Sequence, residues 1–313
     1  MKQQGREGIS EIPEEQKRTE WEISWKFVLP EGEEMERGMK PVIDMEKEYG
    51  LVLEGGGARG AYQIGVWKAL KEAGVKIKGV AGTSVGGLNG AMICMDNLEK
   101  AIDVWENLTY SQIMDIDDEV AANLIKGVKP TMDSVKDSVS ALRGFVKNRG
   151  MDVTPLKQLI SDLIEPKTIK ESPIEYFVTT FNVDEMRAEK INMKEVDESF
   201  LEDYLLATAY MAPVFKVEKL HGIRYVDGGA TDNVPVDVLV DEGYKDLIVV
   251  RIYGIGMTKR VEIPEDVSIL EIAPGTDLGS ILEFDGERSR RNIVRVIWMD
   301  FGLFTGWTVC CII

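Results

Sequence analysis

The sequence predicts an α/β domain with a mostly parallel central sheet flanked by helices. Three observations predict it. Strand-like and helix-like runs alternate from Gly50 onwards, and two glycine-rich junctions join a strand directly to a helix. The 313 residues are 44% apolar, enough for one well-packed core.

The elements follow in order. Residues 1–48 are rich in Glu, Lys and Gly and read as a flexible extension; residues 49–285 read as the main domain, and 286–313 as a separate end segment. Leu51-Val52-Leu53 is a short buried strand that runs into Gly55-Gly56-Gly57. Ala61 to Ala73 has helical periodicity and stops at Gly74. Val75 to Ala81 is the next strand and Gly86 to Met95 the next helix, a βαβα start that implies parallel pairing. A helical insertion is expected over about 105–165. Further strands are expected at Ile174–Phe181, Arg187–Met193, Phe215–Leu220, Arg224–Val226, Leu247–Tyr253 and Ser268–Ile272. Leu201–Ala209, Val236–Glu242 and Glu287–Val296 read as helices.

Charge and cysteine usage narrow the classes. Lys and Arg number 37 against 54 Asp and Glu, a net charge of −17, which argues against nucleic acid and against bulk attraction to an anionic membrane. Cys94, Cys310 and Cys311 form neither a disulfide framework nor a zinc pattern, so a reducing, cytoplasmic setting is the simpler reading. Residues 1–20 lack the apolar run of a signal peptide, and no stretch is long enough for a membrane span. The final Cys310-Cys311-Ile312-Ile313 formally fits a prenylation box, without a basic run beside it.

The chemistry concentrates at three places. Gly55-Gly56-Gly57-Ala58-Arg59-Gly60 satisfies the pattern of a dinucleotide loop, which would make the chain an oxidoreductase. The second strand, however, ends in Gly82-Thr83-Ser84 and lacks the acid that holds a ribose. The other reading is an oxyanion hole built from the N–H groups of Gly56 and Gly57. Gly82-Thr83-Ser84-Val85-Gly86 is a G-x-S-x-G pentapeptide, whose flanking glycines permit a sharp turn that exposes the serine. The bland alternative is a serine capping a helix. A nucleophilic serine needs a base, and the sequence holds one histidine, His221, in a hairpin-like turn. The base then falls to a carboxylate, best Asp227 in Asp227-Gly228-Gly229, though alone that tripeptide reads as a turn.

Together these three motifs, in this order, resemble the patatin-like lipid acyl hydrolases, over about residues 50–285. The stretch Ala207-Thr208-Ala209-Tyr210-Met211-Ala212-Pro213 is similar to the family too, with Thr208 where many relatives carry Ser. The resemblance implies a three-layer patatin-like fold, a Ser84–Asp227 dyad, and Gly55, Gly56, Gly57 and Arg59 at the oxyanion site. It also implies phospholipid, lysophospholipid or other acyl-lipid substrates, met at a membrane surface and cleaved through an acyl-enzyme without metal or cofactor. Leu88, Met92, Met95, Trp105, Leu108 and Tyr110 could line an acyl channel, although such a stripe is more often plain core. A catalytically silent lipid-binding scaffold on the same fold is the alternative.

Overall fold

The computed structural model describes residues 43–126, 150–212, 214–217 and 219–295. Strand β1 (Glu48–Leu53) leads through a tight 3-10 turn (Gly57–Gly60) into helix α1 (Ala61–Glu72). Strand β2 (Lys76–Thr83) runs into α2 (Val85–Cys94), followed by α3 (Leu98–Asn107) and α4 (Asp118–Lys126). After residue 149 come α5 (Thr154–Leu163), α6 (Pro166–Glu171), β3 (Glu175–Asn182), β4 (Arg187–Asn192) and α7 (Glu198–Thr208). A short hairpin of β5 (Lys219–Leu220) and β6 (Ile223–Asp227) precedes α8 (Val236–Asp241). Strands β7 (Asp246–Val250) and β8 (Ser268–Ile272) and helix α9 (Gly286–Arg295) complete the order.

Among the described residues the strands form one sheet in the order β5-β6-β3-β2-β1-β7-β8, with β4 also on β3. The pairs β1–β2, β1–β7, β2–β3 and β7–β8 are parallel, while β3–β4, β3–β6 and β5–β6 are antiparallel. The period of two along each strand splits the core. Leu51, Leu53, Val80, Val178 and Ile248 face the large layer built with α1, α2, α3 and α7. Val52, Ala81, Phe177, Leu247 and Val249 face a smaller layer closed by Val238 and Leu239 of α8. The result is a sheet between two helical layers, as expected.

Two elements differ from the sequence reading. Of the strand expected over Phe215–Leu220, only Lys219–Leu220 pairs as a strand, and Phe215 makes an isolated bridge to Met151. The apolar Val214 and Phe215 are used instead to wall a cavity. The strand expected over Leu247–Tyr253 ends at Val250, because the N–H groups of Ile252 and Tyr253 turn to the Glu54 carboxylate at 2.7 and 3.0 Å. Helix α9 lies so close to α1 that a Cβ on Gly65 would come within 2.3 Å of the Ile293 carbonyl.

Candidate active site

One residue separates β2 from α2. Ser84 alone reverses the chain, at φ 55° and ψ −127°, a region that only glycine enters without strain. Its neighbours make the reversal possible. A Cβ on Gly82 would lie 2.3 Å from the Gly86 carbonyl oxygen, and one on Gly86 would lie 2.3 Å from that of Leu53. Both positions therefore require glycine. The Ser84 N–H donates to Thr208 Oγ1 at 2.9 Å, and the Thr208 hydroxyl donates to the Thr179 carbonyl at 2.6 Å. Thr208, fully buried at the end of α7, thus ties the elbow to β3. The positive end of α2 points at the Ser84 side chain.

Sheet register brings the acid to the serine. Strand β4 covers β3 over Phe177–Asn182, so β2 and β6 must share the opposite edge. There Thr83 pairs with Thr179, and the next β3 residue, Thr180, pairs with Asp227. Asp227 therefore continues the line of β2 just where Ser84 leaves it. The Ser84 hydroxyl lies beside the Asp227 carboxylate, and the Gly229 N–H donates to Asp227 Oδ1 at 2.7 Å. Burial pushes the Asp227 carboxyl up to about 6, against the downward pull of the Ser84 hydroxyl and the Gly229 N–H. A Cβ on Gly228 would sit 2.2 Å from the Thr179 carbonyl oxygen, which explains the glycine after the acid.

The glycine turn closes the third side. Gly56 and Gly57 line the same cavity as Ser84 and Asp227, and no hydrogen bond occupies their N–H groups among the described residues. The other two expected oxyanion residues are differently employed. The Gly55 N–H is spent on the Asn233 carbonyl at 3.1 Å, and the Arg59 N–H on the Gly56 carbonyl at 3.2 Å. The Arg59 side chain turns to other loops, donating to Gly279 O at 2.7 Å, Ile252 O at 3.3 Å and Tyr253 O. Of the four, Gly56 and Gly57 line the cavity with no hydrogen bond on their N–H groups among the described residues, while Gly55 and Arg59 hold the turn.

Two supporting residues escaped the sequence reading. Buried Asn233 donates from Nδ2 to Gly55 O at 2.9 Å, and its own N–H donates to Met257 O at 2.6 Å. Buried Glu54 accepts from Arg251 Nε at 3.0 Å besides the two N–H groups of the loop after β7. The only sequence signals were an acid ending an apolar strand and an Asn six residues past Asp227.

A family model described as patatin-like phospholipase matches residues 51–240. The chain belongs to the patatin-like phospholipase family. Patatin-like phospholipase domain-containing protein 7 of Rattus norvegicus is 27% identical over 202 residues, which are 64% of this chain and 13% of the relative. The neuropathy target esterase sws of Drosophila melanogaster is 26% identical over 219 residues, 70% of this chain and 14% of that protein. The lysophospholipase nte1 of Aspergillus terreus is 29% identical over 190 residues, 61% and 11% respectively. The chain thus spans about an eighth of the length of these curated relatives.

In this patatin-like domain the three motifs open onto an apolar cavity of about 340 Å³. Leu88 and Met92 of α2, Trp105 and Leu108 around the end of α3, and Leu156 and Ile160 of α5 line it. Met95 and Tyr110, named with them from the sequence, are not among the lining residues; Tyr110 packs edge-on against Phe284, and Met95 Sδ meets the Glu165 N–H. Trp105 is held by its indole N–H, which donates to Asn89 Oδ1 at 3.0 Å.

His221 sits with Gly222 in the two-residue turn of the β5–β6 hairpin, both at positive φ (52° and 84°). It meets Asp203 of α7 at 2.9 Å and packs on Phe200, and it is not among the residues lining the cavity. Among the described residues no cluster of three or more His, Cys, Asp or Glu is arranged for a metal ion. No described helix is long and apolar enough to cross a membrane. The box at Cys310–Ile313 and the greater part of the extension 1–48 lie outside the described residues.

Proposed function

We propose that this chain is a serine lipid acyl hydrolase of phospholipase A or lysophospholipase type, acting through a Ser84–Asp227 dyad. The observation that carries the proposal is the Ser84 hydroxyl on its strained turn beside the Asp227 carboxylate, both lining one apolar cavity. A carboxylate nearer neutrality is a better proton acceptor than an ordinary aspartate and still ionised at pH 7.

In the first step Ser84 Oγ bonds to the ester carbonyl carbon while its proton passes to Asp227. The carbonyl oxygen becomes an oxyanion facing the Gly56 and Gly57 N–H groups, donors fixed before reaction. Collapse breaks the bond to the alcohol, which leaves with the proton from Asp227, and an acyl-Ser84 ester remains. Water then attacks that ester, giving its proton to Asp227, and fatty acid departs as Ser84 regains its hydrogen. The acyl chain occupies the apolar cavity between α2, α3 and α5, and the head group stays outside. The name of the fungal relative makes lysophospholipids the first substrates to try. The protein works in the cytoplasm and meets its lipids at a membrane surface.

The deciding experiment is labelling by a fluorophosphonate probe alongside hydrolysis of lysophosphatidylcholine. Wild-type protein should do both, and Ser84→Ala should do neither while folding normally. Unlabelled wild type without esterase activity would identify a silent lipid-binding scaffold instead.

A further inference from the structure

The walls of the site are not all supplied by residues 51–240, which the family model matches. The segment Leu278–Phe284 runs along the cavity as a strap, and Ile281, Leu282 and Phe284 form part of its lining. The same strap holds the oxyanion turn, since Ala58 N–H donates to the Ile281 carbonyl at 2.8 Å. Contact there is tight. A Cβ on Gly57 would come within 2.2 Å of that same carbonyl oxygen.

The strap has no strand or helix of its own to fix it, and its backbone carbonyls go to two guanidinium groups instead. Arg59 Nε takes Gly279 O at 2.7 Å from the side of the glycine turn. From α9, Arg288 takes three more: Nε to Leu278 O at 2.7 Å, Nη2 to Ser280 O at 2.7 Å and Nη1 to Glu283 O at 2.8 Å. Its charge is met by the Glu283 carboxylate at 2.9 Å from Nη1. Arg288 is 6% exposed, and Asn292, one helical turn on, also donates to Leu278 O at 3.1 Å. A fixed planar fork satisfies three divergent carbonyls at once, which a lysine ammonium on a flexible stem does poorly.

We propose that Arg288 is a positioning residue for acyl hydrolysis: by clamping the strap it sets both the oxyanion turn, through Ile281 and Ala58, and the acyl-chain wall, through Ile281, Leu282 and Phe284. This rests on the hydrolase reading above. Two consequences separate it from a merely structural role. Loosening the strap lets the Gly56 and Gly57 N–H groups drift, so turnover falls for every ester. The cavity wall moves as well, so preference among acyl chains shifts.

The test compares wild type with Arg288→Lys, Arg288→Ala and Gly279→Ala. A Cβ at Gly279 would lie 2.8 Å from Arg288 Nε at φ +86°, so Gly279→Ala disturbs the clamp without removing the buried cation. Each protein is assayed for melting temperature, rate of fluorophosphonate labelling, and kcat and KM on p-nitrophenyl butyrate and palmitate. The labelling rate and kcat on both esters should fall, on the order of 100-fold in Arg288→Ala and about 10-fold in the other two, with a changed palmitate-to-butyrate ratio. If Arg288→Ala does not fold, the other two variants decide. Folded Arg288→Lys and Gly279→Ala proteins with wild-type labelling rates and an unchanged chain-length ratio would overturn the clamp while leaving the dyad standing. Failure of the hydrolase reading looks different, because wild type itself would neither label nor hydrolyse, and the clamp would fall with it.

Discussion

The two glycine-rich junctions of this domain follow neighbouring parallel strands and each leads into a helix, yet they are held differently. The elbow at Gly82–Gly86 is closed by contacts within its own few residues and with the adjacent end of β1, and one long-range hydrogen bond ties Ser84 N–H to Thr208. The turn at Gly55–Gly60 is held by many groups far along the chain: Asn233, Ile252, Tyr253, Gly279 and Ile281. A strained serine turn thus needs little beyond its own glycines, whereas the glycine turn takes a frame of long-range hydrogen bonds. The first device is written in adjacent letters, and the second is spread over more than 200 residues.

On the proposed mechanism the largest effects should fall on Ser84 and Asp227. Ser84→Ala and Asp227→Asn should each lower kcat/KM on a lipid ester by on the order of 10⁴-fold or more, with the fold intact by circular dichroism. Next comes the local junction. Gly86→Ala forces a methyl group against the Leu53 carbonyl and should destabilise the protein by about 3 kcal/mol in urea titration. Asn233→Ala, by contrast, removes long-range support from the glycine turn and should lower kcat and the rate of fluorophosphonate labelling together by about 100-fold, with the melting temperature lowered less than in Gly86→Ala. If Asn233→Ala also disturbed the elbow geometry, the two junctions would have to be treated as one unit.

Smaller effects follow from the buried carboxylates. Activity should rise with pH through about 6, since Asp227 must be ionised to accept the Ser84 proton. Stability should run the other way. Between the ordinary aspartate value and about 6 the folded protein keeps a proton that the unfolded chain has released, so stability falls as pH rises through this window. Asp232, raised to about 6 first by burial and then by Asp237, adds a slope of the same sign. Asp227→Asn should therefore be more stable than wild type to urea at pH 8, by about 2 kcal/mol, and show a shallower pH dependence. His221→Asn should leave the acid limb and the rate unchanged, which an activity profile from pH 5 to 8 would check.

The turns that carry Ser84 and Asp227 were legible in the sequence because their constraints are steric and local: glycines flank Ser84 and follow Asp227 where a Cβ would collide. The parallel core strands were legible from their apolar runs, within two or three residues at the ends. Arg59 shows where such reading stops. Its place in the glycine motif suggested an oxyanion residue, but which carbonyls a guanidinium finds depends on the fold around it. Glu54, Asn233 and Arg288 were invisible for the same reason, since each binds backbone atoms that only the fold brings to it. Phe215 looked like the start of a strand because apolar spacing does not distinguish a sheet face from a cavity wall.

The single histidine, set aside as an acid or base, has a consequence of another kind. With both residues of the His221–Gly222 turn at positive φ, the hairpin counts a fixed number of residues from the bend to Asp227. Side chains alternate faces along β6, so a slip of one residue would point the carboxyl away from Ser84 while leaving every motif intact. The turn therefore works as a length standard for the Ser84–Asp227 pair: an inserted residue there would part the two from a distance, with no atom of either altered.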